Sequence, residues 1–320
     1  MKKQLLCAGM WLVVTLSILM IVPSAAHAWN QSFHSLVAKK CLNVQWNYVA
    51  SYNARIGSMV PDFAWYLLDM GWIGEEEAAK LHGDTTHSCL DPDDTTNVYE
   101  VASDLVPWWD YGSKYLVKGI GSHLCADVIA HNEVDGYVEE RWIKKLIGLV
   151  GKDRREALHL ALEFSVDALL VRAYGFQIAD LLLPFKQAGF VEEVFETAID
   201  AIRDDDTPGA DLSEEFRKYV ALMRVLEKAA AAYAPYLVEG KVDEAALSAL
   251  EGSELFEAEE ELTPEGLEMY YDVLIILLQY PVQIHETITA KEMHWRRALC
   301  DSVAFCRDPT FCPEAGSSRR

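Results

Sequence analysis

The hydrophobic positions of this chain recur at helical spacing along most of its length. Within residues 32–52, apolar side chains stand three or four positions apart and share one face of a helix. The same periodicity predicts further helices over residues 65–80 (interrupted near Gly71 and Gly74), 113–147, 153–183, 191–203, 212–237, 242–250 and 263–279. No segment alternates with the period of two that a strand requires. The sequence therefore predicts an all-α protein.

A proline-containing polar segment at residues 204–209 predicts a surface turn that divides the chain. Before it lies a predicted core, residues 29–205. After it comes an acidic helical part, residues 206–320, which either completes the same domain or forms another. The apolar run at residues 273–278 in this second part is too short to cross a bilayer, so it predicts a buried helix.

Residues 1–28 have the pattern of a secretory signal. Two lysines precede an apolar stretch at residues 11–22, and a small-x-small cleavage motif ends at Ala28. We therefore expect a secreted or periplasmic protein whose mature chain begins at Trp29. An uncleaved anchor is the alternative, and lipid attachment is disfavoured because Cys7 precedes the apolar stretch.

The chain is strongly acidic, with a formal net charge of −22. Such a charge repels nucleic acid and anionic lipid at long range, although bound divalent cations would reverse its sign locally. In an oxidising compartment, one to three disulfides are expected among the cysteines that follow the signal, and their connectivity stays open. These cysteines are Cys41, Cys89, Cys125, Cys300, Cys306 and Cys312.

Two predicted helices carry rows of metal-ligand side chains. His123, Asp127 and His131 stand four residues apart and project from one helical stripe. His159 and Glu163 form a second such pair on the next helix. A single pair of this kind is more often a solvated face or a satisfied core histidine. Five donors on two helices with apolar neighbours instead favour a metal site held between helices.

Further candidate ligands lie nearer the amino terminus. The free amine and the carbonyl oxygen of Trp29 could chelate one ion after signal cleavage. His34 begins the first predicted helix, Asp62 lies in a loop after Pro61, and His87 lies in a polar segment.

This set of residues resembles the zinc-dependent phospholipase C family, which is related to the S1/P1 nucleases and to the amino-terminal domain of glycosylphosphatidylinositol-specific phospholipase D. The resemblance covers roughly residues 29–183. It implies a multi-helix bundle around a trinuclear zinc cluster, with nine zinc-binding positions. They are Trp29, His34, Asp62, His87, His123, Asp127, His131, His159 and Glu163.

The resemblance also implies how these residues divide among three Zn²⁺ ions. The first ion would be bound by Asp62, His87, His123 and Asp127. The second would be bound by His131, His159 and Glu163. The third would be bound by the amine and carbonyl of Trp29, by His34 and by a bridging Asp127.

The sequence departs from the family pattern in two places. His131 follows Asp127 by four residues, which is two fewer than in the phospholipases C and the nucleases and closer to the phospholipase D branch. The stretch from Asp62 to His87 is longer than usual and contains His82 as a rival ligand. We prefer His87 because the acidic residues just after it match the phospholipase C pattern. A closing glutamate at Glu163, instead of aspartate, favours a phospholipase C over a nuclease.

Aromatic side chains flank the ligand segments. Ordinary helix packing explains such residues more often than a rim that contacts lipid or a choline-like headgroup. They are Trp65, Tyr66, Trp72, Trp108, Trp109 and Tyr111.

The sequence therefore predicts a secreted zinc-dependent phosphodiesterase that hydrolyses phospholipids with phospholipase C-type scission. Its phospholipid substrate would be met at a membrane surface, and Asp62 is the expected general base. No nucleic-acid partner and no stable protein partner are expected. The alternatives are an S1/P1-like single-strand nuclease, a phospholipase D-type hydrolase and a non-enzymatic lipid-binding protein stabilised by zinc. The headgroup preference and the side of scission stay open.

Overall fold

A computed structural model describes residues 31–83, 97–107, 109–130, 138–181, 183, 185–203, 211–240, 264–291 and 294–307. The fold of these residues is entirely helical, which confirms the predicted class. The α-helices are α1 (Gln31–Cys41), α2 (Tyr48–Gly57), α3 (Phe63–Asp69), α4 (Glu75–His82), α5 (Val98–Leu105), α6 (Tyr111–Ala130), α7 (Val138–Val150), α8 (Arg155–Tyr174), α9 (Phe185–Ile202), α10 (Leu212–Glu239), α11 (Pro264–Gln279), α12 (Pro281–Ile288) and α13 (Trp295–Arg307).

Most of the predicted helices are present, but they begin and end at other residues than predicted. The single helix predicted over residues 32–52 is wrong, because a turn after Cys41 separates α1 from α2. The side chain of Asn47 caps α2 by accepting a hydrogen bond from the Ala50 amide (3.1 Å), so the new helix begins there. The prediction for residues 113–147 corresponds to α6 and α7, between which residues 131–137 lie outside the described part. The helix predicted at 242–250 also lies outside it.

Two large apolar clusters form the core. One contains residues of α1, α7, α8, the second half of α10 and α11–α13. The other contains residues of α2–α5, α9 and the first half of α10. Helix α6 contributes Leu116 and Ile120 to the second cluster and Ala126 and Ala130 to the first. The carboxyl-terminal half of α6, which carries the predicted ligands, therefore lies where the two clusters meet.

Helices α2 and α6 cross closely because each has a glycine at the contact. A Cβ atom at Gly57 would lie 1.9 Å from the Leu116 carbonyl oxygen. A Cβ atom at Gly119 would lie 2.2 Å from the Ala54 carbonyl oxygen. Both neighbours are backbone atoms, so the crossing distance depends on the missing side chains. This packing sets the position of the turn after α2 relative to α6.

The carboxyl-terminal helices join the amino-terminal ones. A disulfide links Cys41, at the end of α1, to Cys306 in α13, with a Cα–Cα distance of 5.9 Å. Apolar residues of α11, including Leu274, Ile276 and Leu277, are buried in the same cluster as α1 and α8. The run at residues 273–278 thus contributes to the core, as predicted. Of the helices that the structure describes, none combines the length and the apolar character needed to cross a membrane.

Candidate metal centre

Four separate parts of the fold converge on one buried cluster of imidazole and carboxylate groups. Helix α1 supplies one residue, the turn before α3 supplies one, the last position of α4 supplies one, and α6 supplies two. None of these residues is more than 5% exposed. The cluster consists of His34, Asp62, His82, His123 and Asp127.

Each element has a local reason to turn its ligand inward. Helix α1 is buried at every position from Gln31 to Ala38, so His34 is enclosed whichever way it points. In α4, His82 lies on the same face as the buried Ala78, and Gly83 ends the helix with a positive φ of 98°. In α6, His123 and Asp127 are one turn apart on the face that meets α1 and α2.

Two triangles of ligand atoms share an edge in this cluster. The Nε2 atoms of His82 and His123 lie 3.3 Å apart. Asp127 Oδ2 lies 3.3 Å from the first and 3.0 Å from the second. Asp62 Oδ1 lies 3.2 Å and 3.4 Å from the same two nitrogens. Bonds of about 2.0–2.1 Å place neighbouring ligands of a tetrahedral zinc ion about 3.3 Å apart. The spacing within each triangle therefore fits one face of such a site.

The two carboxylate oxygens of Asp127 face different histidines. Oδ2 faces His82 and His123, whereas Oδ1 lies 3.3 Å from His34 Nε2. The rings of His34 and His123 stack, with centroids 3.8 Å apart and planes inclined by 20°. His34, Asp62 and His123 form a second group whose ligand atoms all lie within 4.8 Å of one another. Asp127 is thus placed as a carboxylate that bridges two ions would be.

Neighbouring polar groups orient these ligands. The Ser58 carbonyl oxygen lies 2.7 Å from His123 Nδ1, so Nδ1–H donates to it and Nε2 faces the cluster. The Gly83 carbonyl stands 3.3 Å from His82 Nδ1 and can fix that tautomer in the same way. Gln31 donates to Asp62 Oδ2, which leaves Oδ1 directed at the histidines. Metal-ligating histidines are commonly held by such contacts.

Within the cluster, the histidines and the carboxylates shift one another's pKa values towards the charged forms. Burial by itself would lower the pKa of His82, but Asp127 and Asp62 together raise the pKa to about 9. The same two carboxylates outweigh burial at His123 and raise its pKa well above the usual value. Burial would raise the pKa values of Asp62 and Asp127, but neighbouring histidines, His123 foremost, lower them. A divalent cation would replace protons here, so its binding should release protons and strengthen as the pH rises.

The second predicted pair is also formed. His159 Nε2 lies 2.7 Å from Glu163 Oε1 on α8, and their side chains are 12% and 2% exposed. The pair lies beside α1, because Asp167, one turn beyond Glu163, accepts a hydrogen bond from the Ser32 backbone amide at 3.2 Å. One imidazole and one carboxylate can contribute two ligands to a zinc site, but such a site needs three or four.

The nine predicted ligands therefore separate into three groups. His34, Asp62, His123 and Asp127 come together, and His159 and Glu163 meet each other. Trp29, His87 and His131 lie outside the described residues. His82, the rival to His87 in the sequence, is a full member of the buried cluster.

A pair of buried acids beside the site was missed in the sequence. Glu227 accepts hydrogen bonds from Ser32 Oγ and from the backbone amides of residues 177–179, at 2.6–2.8 Å. Asp167 lies near it and is 5% exposed. The signal was present, because Asp167 continues the four-residue spacing of His159 and Glu163. Burial, followed by the charges of Glu227 and Glu163, raises the pKa of Asp167 well above its usual value, although bonds from Ser32 oppose the shift.

We expect Asp167→Asn to stabilise the metal-free protein at alkaline pH. A carboxyl group whose pKa is raised by folding stabilises the fold below its unfolded pKa, and this contribution is lost as the pH rises through the folded value. Asparagine does not ionise, so the gain in the free energy of unfolding should be about 1–2 kcal/mol larger at pH 8 than at pH 5. Urea unfolding in excess chelator at both pH values measures this. Asp104→Asn, at an exposed position of α5, is the control and should show no such pH dependence.

Buried imidazole and carboxylate groups in this arrangement can hold a metal ion, and a carboxylate that faces two groups of ligands can join two ions.

The aromatic residues near the predicted ligands differ in their exposure. Trp65 and Tyr66 are buried in the core, whereas Trp109 and Tyr111 are exposed.

In comparisons of the chain with known proteins, no protein-family model, no curated protein and no solved structure matches it.

Proposed function

We propose that this protein is a zinc-dependent phosphodiesterase that hydrolyses phospholipids with phospholipase C-type scission. The observation that carries the proposal is the buried cluster, in which four ligand atoms stand 3.0–3.4 Å from their neighbours and Asp127 faces two ligand groups. A purely structural zinc site is coordinatively closed and rarely shares a carboxylate with a neighbouring site. The arrangement thus favours catalysis over structural stabilisation.

The described residues, together with the resemblance to the phospholipases C, suggest an assignment of the ligands. Asp62, His82, His123 and the Oδ2 atom of Asp127 would hold one zinc ion. His34 and the Oδ1 atom of Asp127 would hold another, together with the amine and carbonyl of Trp29. His159 and Glu163 would contribute to a third site with His131. In this assignment His82, and not His87, is the second histidine ligand of the first zinc ion.

Zinc, when bound, lowers the pKa of a coordinated water to about 7 and neutralises charge on phosphoryl oxygens. The chain's own residues supply orientation and proton transfer. Asp62 is the proposed general base, because Gln31 engages its Oδ2 atom while Oδ1 faces the ligand cluster. Ser58 holds His123 through its carbonyl oxygen, so the ligand set is oriented before substrate arrives.

Export is part of the same proposal. The amine of Trp29 becomes a ligand only when the preceding peptide bond is cleaved, because an amide nitrogen is a poor donor for zinc. The disulfide between Cys41 and Cys306 supports an oxidising compartment.

Product analysis tests the proposal most directly. The mature protein that begins at Trp29 is loaded with zinc and incubated with mixed phospholipid vesicles, and the products are identified by mass spectrometry. We expect diacylglycerol and a phosphorylated headgroup. Phosphatidic acid would instead establish phospholipase D-type scission and contradict the proposed side of cleavage. Absence of any lipid product with zinc bound would overturn the proposal, and cleavage of single-stranded nucleic acid would replace it.

A further inference from the structure

Five large side chains form an exposed patch at one end of the crossing between α2 and α6. Tyr48 and Val49 begin α2 and are 77% and 51% exposed, and Trp46, in the turn before it, is 90% exposed. Tyr111 begins α6 and is 48% exposed, and Trp109, in the turn before it, is 68% exposed. We call these five residues the aromatic patch. Exposed apolar residues that gather in this way commonly mark an interaction surface.

Polar contacts join the two sides of the patch. Asn47 Nδ2 donates a hydrogen bond of 2.9 Å to the Tyr111 hydroxyl, while its Oδ1 atom caps α2. The rings of Tyr111 and Tyr115 lie 4.9 Å apart, and those of Tyr48 and Tyr52 lie 6.1 Å apart. Each of the two exposed tyrosines thus contacts the ring of a less exposed tyrosine one turn further along its helix.

The two segments that carry the patch contain basic residues and no acidic ones apart from Asp110, unlike the chain as a whole. The chain contains 50 acidic residues, yet none lies within residues 31–61 or 111–126. On α6, Lys114 and Lys118 lie on the same helical face as Tyr111, and Lys118 Nζ stands 5.1 Å from the centre of the Tyr115 ring. Asp110, which lies between Trp109 and Tyr111, is paired with Lys186 at 2.8 Å. The patch is therefore aromatic and locally basic.

We propose that the aromatic patch docks the protein on an anionic phospholipid surface. Tryptophan and tyrosine favour the membrane–water interface, because each has an apolar ring and a polar group that stays hydrated. Exposed lysines beside them attract anionic headgroups. The identification of lipid as the partner rests in part on the proposed function, whereas the patch and its charge do not.

A second copy of the chain fits this surface less well. A symmetric dimer through the patch would place the same lysines opposite one another. It would also bring together two bodies that each carry a net charge of −22. An anionic lipid surface is also repelled by the net charge at long range, but it places opposite charge against the lysines and offers an interface to the aromatic rings.

The patch and the metal ligands occupy different parts of one helix. Tyr111 and His123 are separated by twelve positions, which corresponds to about 18 Å along the axis of α6. Docking therefore controls access to membrane lipid and leaves the ligand cluster untouched. A defect in the patch should weaken turnover of vesicles but not turnover of a dissolved substrate.

Vesicle sedimentation tests the proposal without any need for catalysis. The chelator-treated protein is mixed with phosphatidylcholine vesicles that contain about 30% phosphatidylglycerol, a typical anionic surface. We expect the unaltered protein to sediment with the vesicles. The double variant Trp46→Ser/Trp109→Ser should lower its partition coefficient about tenfold or more, because two rings no longer enter the interface. Lys114→Gln/Lys118→Gln should weaken binding to these vesicles but not to pure phosphatidylcholine.

The control changes two other exposed aromatic residues, which lie outside the patch. These are Phe176 and Tyr271, which are 47% and 50% exposed. Phe176→Ser/Tyr271→Ser should leave the partition coefficient within about twofold of the original value. Equal losses in both double variants, or unchanged sedimentation of the patch variant, would refute the proposal. So would dimerisation that depends on Trp46 in analytical ultracentrifugation.

A soluble substrate separates this proposal from the proposed function. With zinc restored, the patch variant should hydrolyse monomeric short-chain phosphatidylcholine at the original rate but vesicles more slowly. Vesicle binding without hydrolysis of either substrate would support docking and contradict the enzyme. Hydrolysis of the soluble substrate without vesicle binding would support the enzyme and contradict docking.

Discussion

Asp127→Asn should abolish the zinc binding proposed for the buried cluster and lower the proposed phosphodiesterase activity by about a thousandfold or more. The reason is the position of the carboxylate. One oxygen lies 3.0 Å and 3.3 Å from the Nε2 atoms of His123 and His82, and the other lies 3.3 Å from that of His34. An asparagine has one oxygen ligand and a poorly coordinating amide nitrogen, so it cannot serve both groups. Two metal sites should therefore weaken together.

Metal content and turnover should be measured on the same preparation. Elemental analysis after dialysis gives zinc per chain, and hydrolysis of the soluble phospholipid gives activity. Asp104→Asn, the exposed aspartate of α5, makes the same chemical change away from the cluster and should alter neither quantity. If Asp127→Asn kept its full zinc content, the bridging role of Asp127 would be wrong even if activity were lost.

Gly119→Ala should lower the free energy of unfolding by about 3 kcal/mol. The new Cβ atom would lie 2.2 Å from the Ala54 carbonyl oxygen and 3.0 Å from the Gly57 Cα atom. Both contacts are with backbone, so relief requires α2 and α6 to separate. Their separation would also move Ser58, whose carbonyl oxygen orients His123. Zinc affinity should then fall together with stability.

Another helical glycine provides the control. A Cβ atom at Gly148 in α7 would meet no atom within 4 Å. Gly148→Ala should therefore stabilise the protein by roughly 0.5–1 kcal/mol, because alanine favours the helix. Urea unfolding of both variants measures the difference. Equal stability of Gly119→Ala and the unaltered protein would show that the α2–α6 crossing is less tight than described.

Much of the helical content could be predicted because it depends on neighbours in sequence. Apolar positions three and four residues apart predicted most helices and the buried run in α11. The break after Cys41 was missed, because a short turn and an Asn47 cap do not interrupt the apolar pattern strongly. Similarly, the four-residue spacing of His123 and Asp127 predicted a shared helical face, and the two side chains do meet.

The sequence by itself determined the helical class and the rows of ligands on single helices, since both follow from the geometry of one turn. Only the tertiary structure decided which rows meet. It brought His82 from the end of α4 to His123, which is 41 positions away in sequence. It also decided that Trp65 is buried while Trp109 is exposed, although both flank ligand segments. Such outcomes depend on how distant helices pack, and no local pattern contains that information.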